Sequence, residues 1–121
     1  MTNQMLDKLM GLPMTDCGNA ERLLLLFGSR WVYLPRFRSW MYYTGKCWRG
    51  RTTANAEWSA ATAFESLARA YENLRPADDP EEQQRRSEMI AWLHDSHRKP
   101  TRTKIAVLLL QSLHRMAEEE R

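Results

Sequence analysis

Apolar positions along the chain follow two different spacings, and the change between them divides the sequence. Asn19 to Phe27 is strongly helical in pattern, with Thr15-Asp16 in front as an N-cap and Gly28 behind as the residue that ends it. Upstream, Met5, Leu6, Leu9 and Met10 outline a weaker amphipathic segment closed by Gly11 and Pro13. Residues 1–14 are therefore expected to be a short helix or a flexible tail. At Arg30 the spacing changes. Trp31-Val32-Tyr33-Leu34 is a β-branched and aromatic run stopped by Pro35, and Ser39-Trp40-Met41-Tyr42-Tyr43 is a second one. After the turn Thr44-Gly45 comes Lys46-Cys47-Trp48-Arg49, so the second and third runs read as a β-hairpin.

Helical spacing returns after residue 55. Asn55 can cap a helix in which Trp58, Ala61, Phe64, Ala68 and Tyr71 share the buried face. Arg75 to Asp79 breaks it, and Asp79, Pro80 and Glu82 then make a new helix start. That helix is expected to bury Met89, Ile90 and Leu93 and to end before Pro100. The last helix opens near Thr101 and carries Ile105, Leu108, Leu109, Ser112 and Met116, with Val107 and Leu110 broadening its apolar face. The expected fold is α+β and mainly helical. A short antiparallel three-stranded meander follows a first helix and packs with a three-helix bundle, residues 15–121 forming a single domain.

Composition bounds the function more than the fold. With 121 residues, 43% hydrophobic and 27% charged, the chain suits one modest core. The longest aliphatic run, Leu23 to Phe27, is too short to span a bilayer, and a soluble cytoplasmic protein is expected. Cys17 and Cys47 form no paired motif and read as free, partly buried thiols. The net charge of +3 is unevenly spread. Between Glu21 and Glu57 there is no acid, whereas Arg30, Arg36, Arg38, Lys46, Arg49 and Arg51 all fall there. A second basic cluster runs through His97, Arg98, Lys99, Arg102 and Lys104. Such segregation points to a polyanionic partner, foremost nucleic acid.

Several short motifs recur in a definite order: Asn19-Ala20-Glu21-Arg22, then Val32-Tyr33-Leu34-Pro35, then Trp40-Met41-Tyr42-Tyr43 with Thr44-Gly45-Lys46-Cys47-Trp48. The helix Phe64 to Leu74 follows, then Ala91-Trp92-Leu93-His94-Asp95-Ser96-His97, then Thr103 to Leu109. This ordered set resembles the domain on the N-terminal side of the motor in poxvirus-like primase-helicases of phages and plasmids, over roughly residues 15–115. Tyr43 departs from that family's second hairpin Trp, Thr44 from its acidic turn residue, and Pro100 and Lys104 interrupt its closing segment. The family continues into a nucleotide-binding motor, but the pattern GxxxxGK[ST] is absent here and Gly45-Lys46 sits in a hairpin turn.

The resemblance implies a non-catalytic replication accessory module of a phage or mobile element. It would bind single-stranded or primer-template DNA, or a primase or helicase partner. The alternative expectation is an inhibitor of a host defence system, anti-CRISPR-like, derived from such a domain. The expected contact residues are Arg30, Arg36, Arg38, Lys46, Arg49 and Arg51 with Tyr43 and Trp48, joined by Arg98, Lys99, Arg102 and Lys104. Basic side chains neutralise phosphates and exposed aromatic rings stack on unpaired bases. Strand alternation puts Trp40 and Tyr42 on one face of the hairpin and Met41 and Tyr43 on the other, and one of these sets must be core. No catalytic constellation, cofactor or metal is expected. His94 and His97 stand one helical turn apart, but no cysteine pair accompanies them, and Glu57, Glu65 and Glu72 follow a solvated helix flank.

Overall fold

The computed structural model describes residues 1–119, with side chains through residue 117. The chain runs α1 (Asn3–Met10), α2 (Asp16–Phe27), β1 (Trp31–Leu34), a 3-10 turn (Pro35–Phe37), β2 (Ser39–Tyr43), β3 (Trp48–Arg51), α3 (Thr53–Glu72), α4 (Pro80–Arg98) and α5 (Pro100–Glu119). The architecture is α+β, as expected, with an antiparallel sheet in the order β1-β2-β3. No described helix is long and apolar enough to cross a membrane.

Local chemistry sets the element ends. Thr15 caps α2 by accepting from the Gly18 amide at 2.9 Å, and Gly28 leaves the helix at φ 56°. Gly18 admits no side chain, since a Cβ there would lie 1.9 Å from the Pro13 carbonyl oxygen. The segment before α2 can therefore lie directly on its first turn. Three boundaries differ from the expected ones. The third strand begins at Trp48, because the Thr44 hydroxyl accepts from the amides of Lys46 and Cys47 and holds both in the turn. Thr52 caps α3, and Asn55 is the reciprocal partner of the capping box. Pro100 is the first residue of α5, where its missing N–H costs nothing.

One apolar core joins all five helices to the inner face of the sheet. α1 belongs to it: Leu6 and Leu9 are buried, and the Tyr71 hydroxyl donates to the Leu6 carbonyl at 2.6 Å. α3 and α4 pack as an extended pair, with Ala60, Phe64, Leu67, Ala68 and Tyr71 meeting Met89 and Leu93. α2 lies along α5, and the sheet rests on α5 near His114, whose ring meets Trp40 edge-on at 5.8 Å.

On α3 the expected Phe64, Ala68 and Tyr71 are buried and Trp58 is not, whereas α5 buries a different face from the expected one. Trp58, placed in the core by its spacing from Phe64, is 72% exposed. The face of α3 that is buried runs through Ala56, Ala60, Phe64 and Leu67, and Trp58 lies two residues off it, on the far side of the helix. In α5 the buried positions are Thr103, Ala106, Val107 and Leu110, while Ile105, Leu108, Ser112 and Met116 are exposed. The small Ala106 side chain, fully buried among its neighbours, belongs to the face that carries Val107 and Leu110.

Candidate nucleic-acid interface

Register decides which side of the meander is core. Trp31 pairs with Tyr42 and Tyr33 with Trp40, so these four rings share the inner face. They form a continuous aromatic packing: Phe27 stacks on Trp31 at 5.5 Å, and Trp40 meets Trp31 at 6.1 Å and Tyr33 at 5.3 Å. Trp40 and Tyr42 are thus the inward set, and Met41 and Tyr43 point outward. Tyr43 packs on Trp48 at 5.3 Å on the outer side, where Trp48 is 47% exposed.

The six basic residues of the meander separate into three places. Arg30 and Lys46 stand at the end of the sheet that holds the β2–β3 turn, where the Tyr43 amide donates to the Arg30 carbonyl at 2.8 Å. Arg36 and Arg38 are exposed at the opposite end, in the β1–β2 connection. Arg49 and Arg51 lie on β3, opposite Tyr42 and Trp40, so their side chains leave the sheet on its inner side. None of the six has an ion-pair partner among the described residues.

Beside β3 the inner side of the sheet opens into a cleft of about 310 Å³ lined by Trp31, Tyr42, Arg51, Asn55, Trp58 and Ser59. The Arg51 guanidinium sits over the Tyr42 ring at 5.8 Å. Asn55, Trp58 and Ser59 come from the first two turns of α3, whose N-terminal amides are closed by the capping box. The cleft therefore presents a cation and an exposed indole, a pair suited to a phosphate and a stacked base. Trp58 is the residue that periodicity missed. The alternative face Ala56-Ala60-Phe64-Leu67 was present in the sequence, but the large indole outweighed two alanines.

The second basic cluster does not join the first. It sits at the α4–α5 junction, and the sheet packs near His114, about 18 Å further along the α5 axis from Arg102. Two of its members are engaged. Lys99 and Arg102 reach Asp95 at 3.0 and 2.6 Å, and the Arg102 guanidinium stacks on Trp92 at 4.3 Å. The hydrogen bond from Lys99, reinforced by the charges of Lys99 and Arg102, holds the Asp95 carboxyl below the ordinary range. Arg98 and Lys104 are exposed and have no ion-pair partner among the described residues.

Residues that carried the primase-helicase resemblance meet in a buried polar cluster. Asn19 donates to the Ser96 hydroxyl at 3.0 Å and accepts from Arg22 at 3.0 Å and from the Trp92 indole at 2.9 Å. Arg22 also donates to the Leu12 carbonyl, and Thr103 donates to the Ser96 carbonyl. Arg22 is wholly buried, and desolvation pushes its pKa down to about 10. Nearby, burial pushes the Tyr71 phenol up to about 12. These side chains bind helices to one another.

His94 and His97 contact each other at 2.9 Å, and His94 also meets Glu72. Among the described residues no group of three or more potential ligands could hold a metal ion. Cys17 and Cys47 are free, as expected, but both are exposed, because Cys17 faces outward on the first turn of α2 and Cys47 lies in the hairpin turn. No family model, curated protein or solved structure matches the chain.

Proposed function

We propose that this protein is a non-catalytic DNA-replication accessory module of a phage or mobile element that binds single-stranded nucleic acid along β3 and the start of α3. The observation that carries the reading is the cleft in which Arg51, Trp58 and the first turn of α3 converge, flanked by Arg49. Arg36 and Arg38 extend the basic track at the same end of the sheet as Arg51, which pairs with Trp40 near the start of β2. One base stacked on Trp58 contributes about 1–3 kcal/mol. The meander's uncompensated cations supply the rest through phosphate contacts, so binding weakens steeply with salt.

Fluorescence anisotropy with a labelled oligothymidine tests this directly. Trp58→Ala is expected to weaken binding about tenfold, and Arg51→Glu more, with thermal melts kept because both side chains leave the core. Absence of binding to DNA or RNA of any form at low salt removes the reading. The second reading, an inhibitor of a host defence protein, draws support from the apolar outer side of the sheet. A stable complex with a defence effector, alongside negligible affinity for free nucleic acid, would favour it.

A further inference from the structure

The outer side of the meander has a chemistry that neither the core nor the cleft uses. Val32 and Leu34 on β1, Met41 and Tyr43 on β2 and Trp48 on β3 all point away from the bundle, as their register dictates. Ser39 and Gly50 complete that face, and it holds no charged residue. An antiparallel sheet with one solvated face ordinarily carries polar side chains there. Here Val32, Leu34, Met41 and Trp48 instead surround a depression of about 340 Å³.

Gly50 leaves further open surface on the same face, beside Trp48. It lies opposite Met41 in the register, its backbone is not in the left-handed region, and a Cβ built on it meets nothing within 4 Å. The fold therefore does not require glycine at this position, where a β-branched residue would favour the strand. What the missing side chain provides is open surface beside Trp48.

We infer that this outer face is a docking site for a protein segment that presents a bulky apolar side chain flanked by Asp or Glu. The apolar anchor fits the depression. The acidic flanks follow from the surroundings: Arg30 and Lys46 at one end of the face, Arg36 and Arg38 at the other, all exposed and without an ion-pair partner among the described residues. A second copy of the chain is disfavoured by the same charges, because face-to-face pairing would oppose two basic rims. Nucleic acid is disfavoured by the lining, since Val32, Leu34 and Met41 offer no hydrogen bond to a base or phosphate. The depression lies on the opposite side of the sheet from the cleft, sharing only Arg36 and Arg38 with the basic track, and the inference does not rest on the nucleic-acid reading.

Selection of a displayed library of random short peptides against the whole protein tests the assignment. The expected winners combine an aromatic or large aliphatic residue with acidic neighbours. Their affinity should fall about tenfold or more in Gly50→Val, which crowds the open surface beside Trp48, and in Met41→Lys, which places a charge in the depression. Both variants should keep the thermal melt, and Gly50→Val, which adds no charge, should keep the affinity for oligothymidine. The proposal is overturned by failure to enrich any sequence, by winners without acidic flanks, or by affinities unchanged in both variants. A concentration-dependent dimer dispersed by Gly50→Val would assign the face to a second copy instead. Loss of oligothymidine binding in well-folded Gly50→Val would assign it to nucleic acid.

Discussion

Asn19 has no exposed surface, and its amide meets partners from α2 and α4 at once: Arg22, Trp92 and Ser96. Removing it would leave a buried guanidinium with only the Leu12 carbonyl, and a half-buried indole N–H without its acceptor. Unmade hydrogen bonds to buried polar groups cost about 1–3 kcal/mol, more when one is charged. Asn19→Ala is therefore expected to lower unfolding stability by about 3 kcal/mol, read as a shifted urea midpoint. The sequence showed Asn19, Arg22, Trp92 and Ser96 as fragments of motifs. It did not show them as one cluster, because Asn19 and Ser96 are 77 positions apart and only the packing of α2 against α4 and α5 brings them together.

Elements were legible where a local signal had no competitor. Thr15 before α2 and Asp79-Pro80 before α4 act over two or three residues and stand as read, whereas the turn that starts at Thr44-Gly45 extends through Cys47. Face assignment was less legible. α5 carries aliphatic side chains around most of its circumference, so periodicity alone could not choose between Leu108, now 62% exposed, and Val107, now buried. The same ambiguity hid Trp58, and with it half of the cleft. In the β1–β2 connection, Arg38 is the one non-glycine among the described residues with positive φ, at 48°. An L side chain there costs about 1 kcal/mol that glycine would avoid. Arg38→Gly is expected to leave the melting temperature unchanged or slightly raised, while weakening oligothymidine binding and reducing its salt dependence. A lowered melt with intact binding would mean that the arginine serves the turn.

At the scale of the whole molecule, two histidines tie stability to pH. His114 lies beneath the sheet against Trp40, and burial holds its imidazole below the ordinary 6.5. Burial also depresses His97, aided by His94 and nearby arginines and opposed by Glu65. In the unfolded chain both bind protons near pH 6.5, before the folded chain does, so the folded state loses ground as pH falls. Stability should be flat above about pH 7.5 and should decline as pH falls through the ordinary histidine range near 6.5. Asp95 is shifted in the same direction, by its hydrogen bond to Lys99 rather than by burial, and its contribution is lost only when pH falls into the carboxylate range. Thermal melts across that interval should show the decline, and His114→Phe should flatten part of it. An unchanged profile in that variant would place the effect at His97.

β3 also governs how the molecule behaves in a crowd of its own kind. It forms one edge of the sheet, is only four residues long and reads Trp48-Arg49-Gly50-Arg51. A flat apolar strand in that position would be a template for edge-to-edge growth into fibres. Two arginines on so short an edge repel an incoming copy before its backbone can pair. Neutral replacement of both would thus cost colloidal stability as well as phosphate contacts, and the first sign would be turbidity at concentrations the native chain tolerates.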